Sequence, residues 1–446
     1  MQKSKIEQLI ELLRSALTDA DAKFSEQELE KVAIVVFDSM SNSGRNFHNI
    51  NHVFDVAHGL DGISVLAAIF HDVIYYQVDG CFRPSVKQFV HEQIKIKIDA
   101  GKEANKEQFI IKMPKDEILK KLHLIFGVKT GDSLNVFSGL NEFLSASIAI
   151  AMLEPLLTHN QLLKVMGLIE STIPFRKDPI TELVARFNQM HFPLEEMDDF
   201  TNRAVDFSNR DVFNFSENDP KHFLNNTWNL ISETNYSLRR DADNYTVSDY
   251  RLALFKTYLF LKNLDPATVF TKYKNYPNYS NWEKLNTASK ANVEIGRKYL
   301  AIQLVSIAVI EAIAELTGGN TPMSLLMGEV RRRDQKIVRM EDYLGDIFAP
   351  KSGLNKHLVR LLEEGRSQES SFDMKTSPIG TFIYKSLGEE QSETLFGLVQ
   401  NYFDKKMTAR ILIGHYPKEV IIKIILACSK ISSTRRDELI KLSEAI

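Results

Sequence analysis

The chain predicts an all-α protein, with one small β-hairpin inserted and a second helical domain toward the C-terminus. Three observations lead there. Apolar residues recur at helical spacing in most segments; one short stretch alternates strictly instead; and 446 residues exceed what one ordinary core holds. Domains are expected at 1–275 and 276–446, with the break in the Asn- and Tyr-rich stretch Lys272 to Trp282 around Pro277.

The elements follow in order. Ile6, Leu9, Ile10, Leu13 and Leu17 keep the helical period. Ser25 and Glu28 form a capping box ahead of Leu29, Val32, Ile34 and Val36. Gly44 breaks the chain, and a helix is expected from about Phe47 to Gly59. The run Val65 to Tyr76 reads as a buried helix carrying His71 and Asp72 inward. Gln93 to Asp99 alternates, which predicts a strand with Gln108 to Lys112 as its partner across the turn Ala100 to Glu107; a lysine-flanked loop is the alternative. Helices resume over Lys115 to Ile125, Leu140 to Leu157, Asn160 to Ser171, Leu194 to Asn209, Lys221 to Tyr236 and Ser248 to Leu264. Pro322 marks a further helix start, and Ala349 to Gly353 another break.

Composition narrows the function classes. Hydrophobic content of 44% with 25% charged residues is the balance of a soluble globular protein. A formal charge of −3 gives no general pull toward nucleic acid or anionic lipid. Two cysteines, Cys81 and Cys428, make no disulfide framework, and no apolar signal core follows Met1; a cytoplasmic protein is expected. The most apolar window, Tyr299 to Leu316, carries Gln303, Glu311 and Glu315. Carboxylates at a membrane centre are costly, so this window reads as a core helix and no membrane span is expected.

The chemistry concentrates in Phe47-His48-Asn49-Ile50-Asn51-His52-Val53-Phe54-Asp55-Val56 and in the His71-Asp72 pair. Histidines four apart share one helix face. Imidazoles and carboxylates gathered at one point suit Zn²⁺, Mn²⁺ or Fe²⁺, and aspartates also accept Mg²⁺. A divalent ion with an open position activates water, and a leaving alkoxide then needs a proton, which a nearby histidine supplies.

These motifs resemble those of the HD-domain metal-dependent phosphohydrolases, with spacing most like the catalytic domain of cyclic nucleotide phosphodiesterases. The family pattern Y-H-N-x-x-H-x-x-D-V stands here as Phe47 to Val56, with Phe in place of Tyr. The HD element stands as Phe70-His71-Asp72-Val73, and the distal D-x-S-N as Asp206-Phe207-Ser208-Asn209. The resemblance implies a phosphodiesterase-like helical bundle. It implies His52, His71, Asp72 and Asp206 as metal ligands, with one or two ions bound and Asp72 bridging to the second. It implies His48 as the acid that protonates the leaving oxygen and Asp55 as a residue orienting a histidine. Asn49 and Glu142 are placed beside the ligands, Glu142 lying in Asn141-Glu142, the nearest counterpart of the family's H-N-x-x-H-E element.

Other residues read more plainly. Asp211 is expected to cap or turn. Arg45 is either a phosphate clamp or a surface residue, and Glu170 and Thr172 either border the pocket or end a helix. Arg331-Arg332-Arg333 with Lys336 and Arg339 reads as a solvated helix face partly paired by Glu329 and Asp334, with a phosphate site as the alternative. The expected activity is hydrolysis of a nucleotide or other small phosphate ester, including a phosphodiester. An HD-type di-iron oxygenase ranks below it. The reading from another class is a regulatory or scaffold protein whose C-terminal helical domain binds a partner or a second copy.

Overall fold

Capping and apolar periodicity place the first helices where the sequence signals them. In the computed structural model, which describes residues 3–99, 106–239, 244–329, 338–346 and 351–446, Ser4 with Glu7 and Ser25 with Glu28 form reciprocal capping boxes. They open Lys5–Asp19 (α1) and Glu26–Met40 (α2). Both helices bury one apolar face, Leu9, Leu13 and Leu17 on α1 and Leu29, Val32 and Val36 on α2. Among the described residues helix accounts for 67% and strand for 4%, so the all-helical expectation stands.

Two compact units share the chain. The first takes residues up to Phe215 together with Asp265–Ser289; the second takes Ser216–Leu264 and Lys290–Ile446. The expected division at 275/276 therefore falls inside a returning segment. Asn209 holds that segment from both sides, its Nδ2 donating to the Thr271 carbonyl at 2.9 Å and its Oδ1 accepting from Thr271 N–H at 2.7 Å. Residues 216–264 instead build the second unit's core: Trp228 Nε1 and Tyr250 Oη both donate to Asp373, and Arg251 pairs with Glu311.

In the first unit the chain continues through Ile50–Ala57 (α3), Gly62–Phe70 (α4), Tyr76–Asp79 (α5) and Pro84–Gln93 (α6). The expected hairpin follows. Strand Ile94–Asp99 (β1) pairs antiparallel with Lys106–Ile111 (β2) in the register Ile94 to Ile111 and Ile96 to Phe109. Ser133–Leu134 (β3) adds a third strand beside β2. Alternation sets the sheet's sidedness: Ile94, Phe109 and Ile111 are buried while Lys95 and Lys97 are exposed. Of the turn expected over Ala100 to Glu107, Lys106 and Glu107 already belong to β2; residues 100–105 lie outside the described residues, as do Arg331-Arg332-Arg333, Lys336 and Ala349-Pro350. Arg339, expected on a solvated face, is instead buried and paired with Glu341.

Glu117–Phe126 (α7), Leu140–Leu153 (α8), His159–Ser171 (α9), Pro179–Gln189 (α10) and Leu194–Asp211 (α11) complete the bundle. Its core runs from Leu9 to Phe207 as one connected cluster, with α4 and α8 buried along almost their whole length. Gly167 on α9 is a point of close approach. A Cβ there would lie 2.6 Å from Phe200 Cζ and 2.7 Å from Phe187 Cζ.

The second unit contains Pro220–Thr234 (α12), Val247–Asn263 (α13) and most of the long helix Tyr279–Leu316 (α14). By length and composition α14 could cross a membrane, but 72% of its apolar window is buried inside the protein. Three polar residues of that window find partners there: Glu311 accepts from Arg251 and Ser248, Glu315 accepts from Tyr402, and Gln303 donates to Ser377.

Candidate metal centre

Helix α4 is largely apolar and buried along almost its whole length, and it ends at Phe70 rather than continuing to Tyr76. His71 is its C-cap, so His71 and Asp72 emerge together at the helix terminus. The His71 ring is fixed by its own helix: Nδ1 lies 2.8 Å from the Ala68 carbonyl. A carbonyl can only accept, so Nδ1 carries the proton and Nε2 presents a lone pair when the ring is neutral. That arrangement is how proteins orient a metal-binding imidazole.

Arg45 holds the turn that follows. Its guanidinium is buried, donates to the Asp72 carbonyl at 2.7 Å and the Val73 carbonyl at 3.3 Å, and meets both Asp79 oxygens, at 3.0 and 2.5 Å. Neither a phosphate clamp nor a surface residue, it fixes the backbone of the HD turn.

His52 comes from α3. That helix starts at Ile50, because Asn49 caps it by accepting from Asn51 N–H at 2.9 Å. The fourth residue is Asp211, the last of α11. Phe200, Ala204, Phe207 and Asp211 stand at spacings of four, three and four, one stripe of that helix. Phe207 sets its ring edge-on against His71, with centroids 5.8 Å apart.

One ligand atom from each of His52, His71, Asp72 and Asp211 lies within 4.8 Å of the others. His52 Nε2 and His71 Nε2 are 3.3 Å apart. Asp211 Oδ1 lies 3.1 Å from the first and 3.3 Å from the second; Asp72 Oδ2 lies 3.5 and 3.1 Å from them. Bond lengths of about 2.0–2.2 Å put neighbouring ligand atoms about 2.9–3.6 Å apart in octahedral or tetrahedral shells. The five separations fall in that range. Asp72 Oδ2 is sealed from solvent yet has no hydrogen-bond partner, as a ligand atom would be without its ion. This group could hold a metal ion.

The electrostatics ask for positive charge at the same point. Burial opposes charging His71, yet Asp72 and Asp211 beside it raise its pKa well above the ordinary imidazole value. Burial likewise opposes ionisation of the two carboxylates. Contacts with His52 and His71 nevertheless push Asp211 down to about 2, and the His71, His48 and His52 charges hold Asp72 well below the usual range. A divalent ion meets that demand without a second proton on either ring.

Of the expected site residues, His52, His71 and Asp72 come together and Asp206 does not. Asp206 precedes Phe207 on α11 and so is turned about 100° off the stripe that faces His71. Its Oδ2 accepts from the Tyr276 hydroxyl at 2.6 Å. Asp211 was the residue missed, and the signal for it was the apolar stripe that it extends. Asp55 is exposed on α3 and does not orient a histidine by any hydrogen bond among the described residues. His48 precedes α3 instead of sharing a helix face with His52; its ring stacks on Tyr75 at 4.1 Å and lies 5.6 Å from the His52 ring. Asn49 is the helix cap. Glu170 is buried against Arg176 and Arg186, and Thr172 ends α9.

Glu142 does lie near the centre. Its carboxyl is pushed up to about 7, chiefly by burial, with Asp72 and Asp211 adding to the rise against its own backbone N–H and Arg176. Comparison of the chain with protein-family models, with curated proteins and with solved structures gave no match.

Proposed function

We propose that the chain is a divalent-metal-dependent phosphohydrolase acting on a nucleotide or another small phosphate ester. The observation that carries the reading is the convergence of two imidazole nitrogens and two carboxylate oxygens, from three separate segments, at metal-ligand spacing. Four protein ligands leave room for water or substrate on a five- or six-coordinate ion. When bound, such an ion lowers the pKa of its water and draws off charge from a phosphoryl oxygen.

The chain's own residues supply the rest. Nδ1 of His71, held by Ala68, keeps Nε2 aimed inward. Arg45 fixes the turn carrying Asp72. His48, beside His52 and stacked on Tyr75, is the proton donor for the leaving oxygen. Zn²⁺, Mn²⁺ and Fe²⁺ suit the two-imidazole, two-carboxylate set best, with Mg²⁺ also accepted.

The test is a phosphoester screen with purified protein in Mn²⁺ or Mg²⁺. Turnover that disappears with chelator and in both His71→Ala and Asp72→Ala supports the reading. Turnover that persists in both variants removes this centre from the chemistry.

A further inference from the structure

Tyr75 stands where the segment carrying His71 and Asp72 meets the segment carrying His48. It follows the HD turn and is the N-cap residue of α5. The peptide groups on either side of it are pinned to α8: Ile74 N–H donates to Ser145 Oγ at 3.0 Å, and Tyr76 N–H donates to Asn141 Oδ1 at 3.0 Å. Asn141 and Ser145 are one helical turn apart and share a face of α8. Arg45 holds the other end of the turn through the Asp72 and Val73 carbonyls, and its guanidinium carbon lies 5.9 Å from the centre of the Tyr75 ring. The backbone on which Tyr75 stands is thus fixed from two directions.

His48 is placed differently. It lies ahead of α3 in a run of bends, with no helical ladder to fix it. Its ring lies flat on Tyr75, with 4.1 Å between centroids and 30° between planes. The Phe47 and His52 rings stand nearly perpendicular to it, at 4.9 Å and 77° and at 5.6 Å and 78°. A ring stacked on one neighbour and flanked by two upright ones is confined to one plane. His48 and Tyr75 are both half-buried, so neither is sealed from solvent.

We propose that Tyr75 is a positioning residue, whose ring holds the His48 imidazole in the plane from which it protonates the leaving oxygen. This rests on the proposed function above. In that step the bond from phosphorus to the leaving oxygen breaks, its electron pair stays on that oxygen, and the proton of the His48 imidazolium passes to it. The neutral ring then takes a proton from solvent. Proton transfer needs hydrogen-bond reach, and a misplacement of about 1 Å costs about 100-fold. The turn that carries Tyr75 also presents His71 and Asp72, so ligands and proton donor are set from one backbone.

The experiment compares the full chain as wild type, Tyr75→Phe, Tyr75→Leu, His48→Ala and the double variant Tyr75→Leu with His48→Ala, each loaded with Mn²⁺. Two substrates are used: an alkyl phosphoester, whose alkoxide needs a proton to leave, and its para-nitrophenyl counterpart, whose phenolate leaves without one. Histidine ring NMR signals of the chelator-treated protein read the stack itself, the His48 signal being the one missing from His48→Ala. Tyr75→Leu is expected to lower kcat on the alkyl ester about 10- to 100-fold with KM and Mn²⁺ content little changed, and to lower it less than about threefold on the para-nitrophenyl ester. Tyr75→Phe keeps a ring and should retain most of kcat. Adding Tyr75→Leu to His48→Ala should cost nothing further. The His48 signal should be shifted upfield by the Tyr75 ring in wild type and Tyr75→Phe, and lose that shift in Tyr75→Leu. Equal losses on the two esters, additive losses in the double variant, loss of Mn²⁺ from Tyr75→Leu, or a His48 signal that ignores Tyr75 overturns the assignment. A wild-type chain that binds Mn²⁺ but hydrolyses no phosphoester overturns the proposed function and the donor role with it, while the NMR shift still decides whether Tyr75 orients His48.

Discussion

Arg45 and Asp79 meet edge to edge, Nε to Oδ1 at 3.0 Å and Nη2 to Oδ2 at 2.5 Å, with both side chains almost fully buried. The same guanidinium donates to the carbonyls of Asp72 and Val73. One side chain thus joins the end of α5 to the turn that presents a metal ligand. Breaking a buried pair by removing one partner leaves the other charge uncompensated, at a cost of about 3–5 kcal/mol.

Arg45→Met is therefore expected to lose about 3–5 kcal/mol in urea unfolding. Arg45→Lys should lose much of that despite its charge, because an ammonium lacks the planar fork that serves two oxygens and two carbonyls. Metal affinity should fall in parallel. A Lys variant with wild-type stability and metal affinity contradicts this role.

Gly167 sets how closely α11 approaches α9. Phe187 and Phe200 stack at 4.3 Å over the space a side chain would occupy. Gly167→Ala gains helix propensity of about 1 kcal/mol but must displace both rings, and overpacking costs about 1–3 kcal/mol. Net destabilisation is expected, with weaker metal binding, since α11 carries Asp211. Thermal unfolding with and without Mn²⁺ reads both effects; an alanine variant more stable than wild type contradicts the packing.

Proton linkage follows from opposite shifts at the centre. Asp211, held at about 2 against an ordinary 3.8, contributes stability above its ordinary value that is lost as pH falls through about 2. His71, raised well above 6.5, contributes stability below 6.5 that is lost as pH rises through its raised value. At pH 7 the chelator-treated protein therefore holds a proton on His71 that an arriving divalent ion must displace. Calorimetric titration with Mn²⁺ at pH 7, in two buffers of different ionisation enthalpy, should give different heats in the sense of proton release. Equal heats in both contradict it.

Much of this was legible in the sequence, and the parts that were not share a cause. The Ser25–Glu28 capping box, the hairpin and the His52, His71, Asp72 set follow from local signals: a cap pair, a period of two, and a motif of fixed spacing. Asp211 depends on helical phase. The Ser208-Asn209 context favoured Asp206, but only the stripe Phe200, Ala204, Phe207 shows which aspartate faces His71. His48 was placed at the start of a helix that Asn49 caps only after it, so spacing alone misjudged the start. Arg45 was illegible because its partner, Asp79, lies 34 residues on. The division of the chain failed for the same reason, since Asn209 captures Thr271 from 62 residues away.

The central claim is that His52, His71, Asp72 and Asp211 hold one divalent ion. Metal content by mass spectrometry, after equilibration of the full chain with Mn²⁺ and removal of free ion, tests it most directly on wild type, Asp211→Asn and Asp206→Asn. At least one tightly held equivalent is expected in wild type and in Asp206→Asn, with loss in Asp211→Asn. Retention in Asp211→Asn with loss in Asp206→Asn, or no bound ion in wild type, would contradict the account.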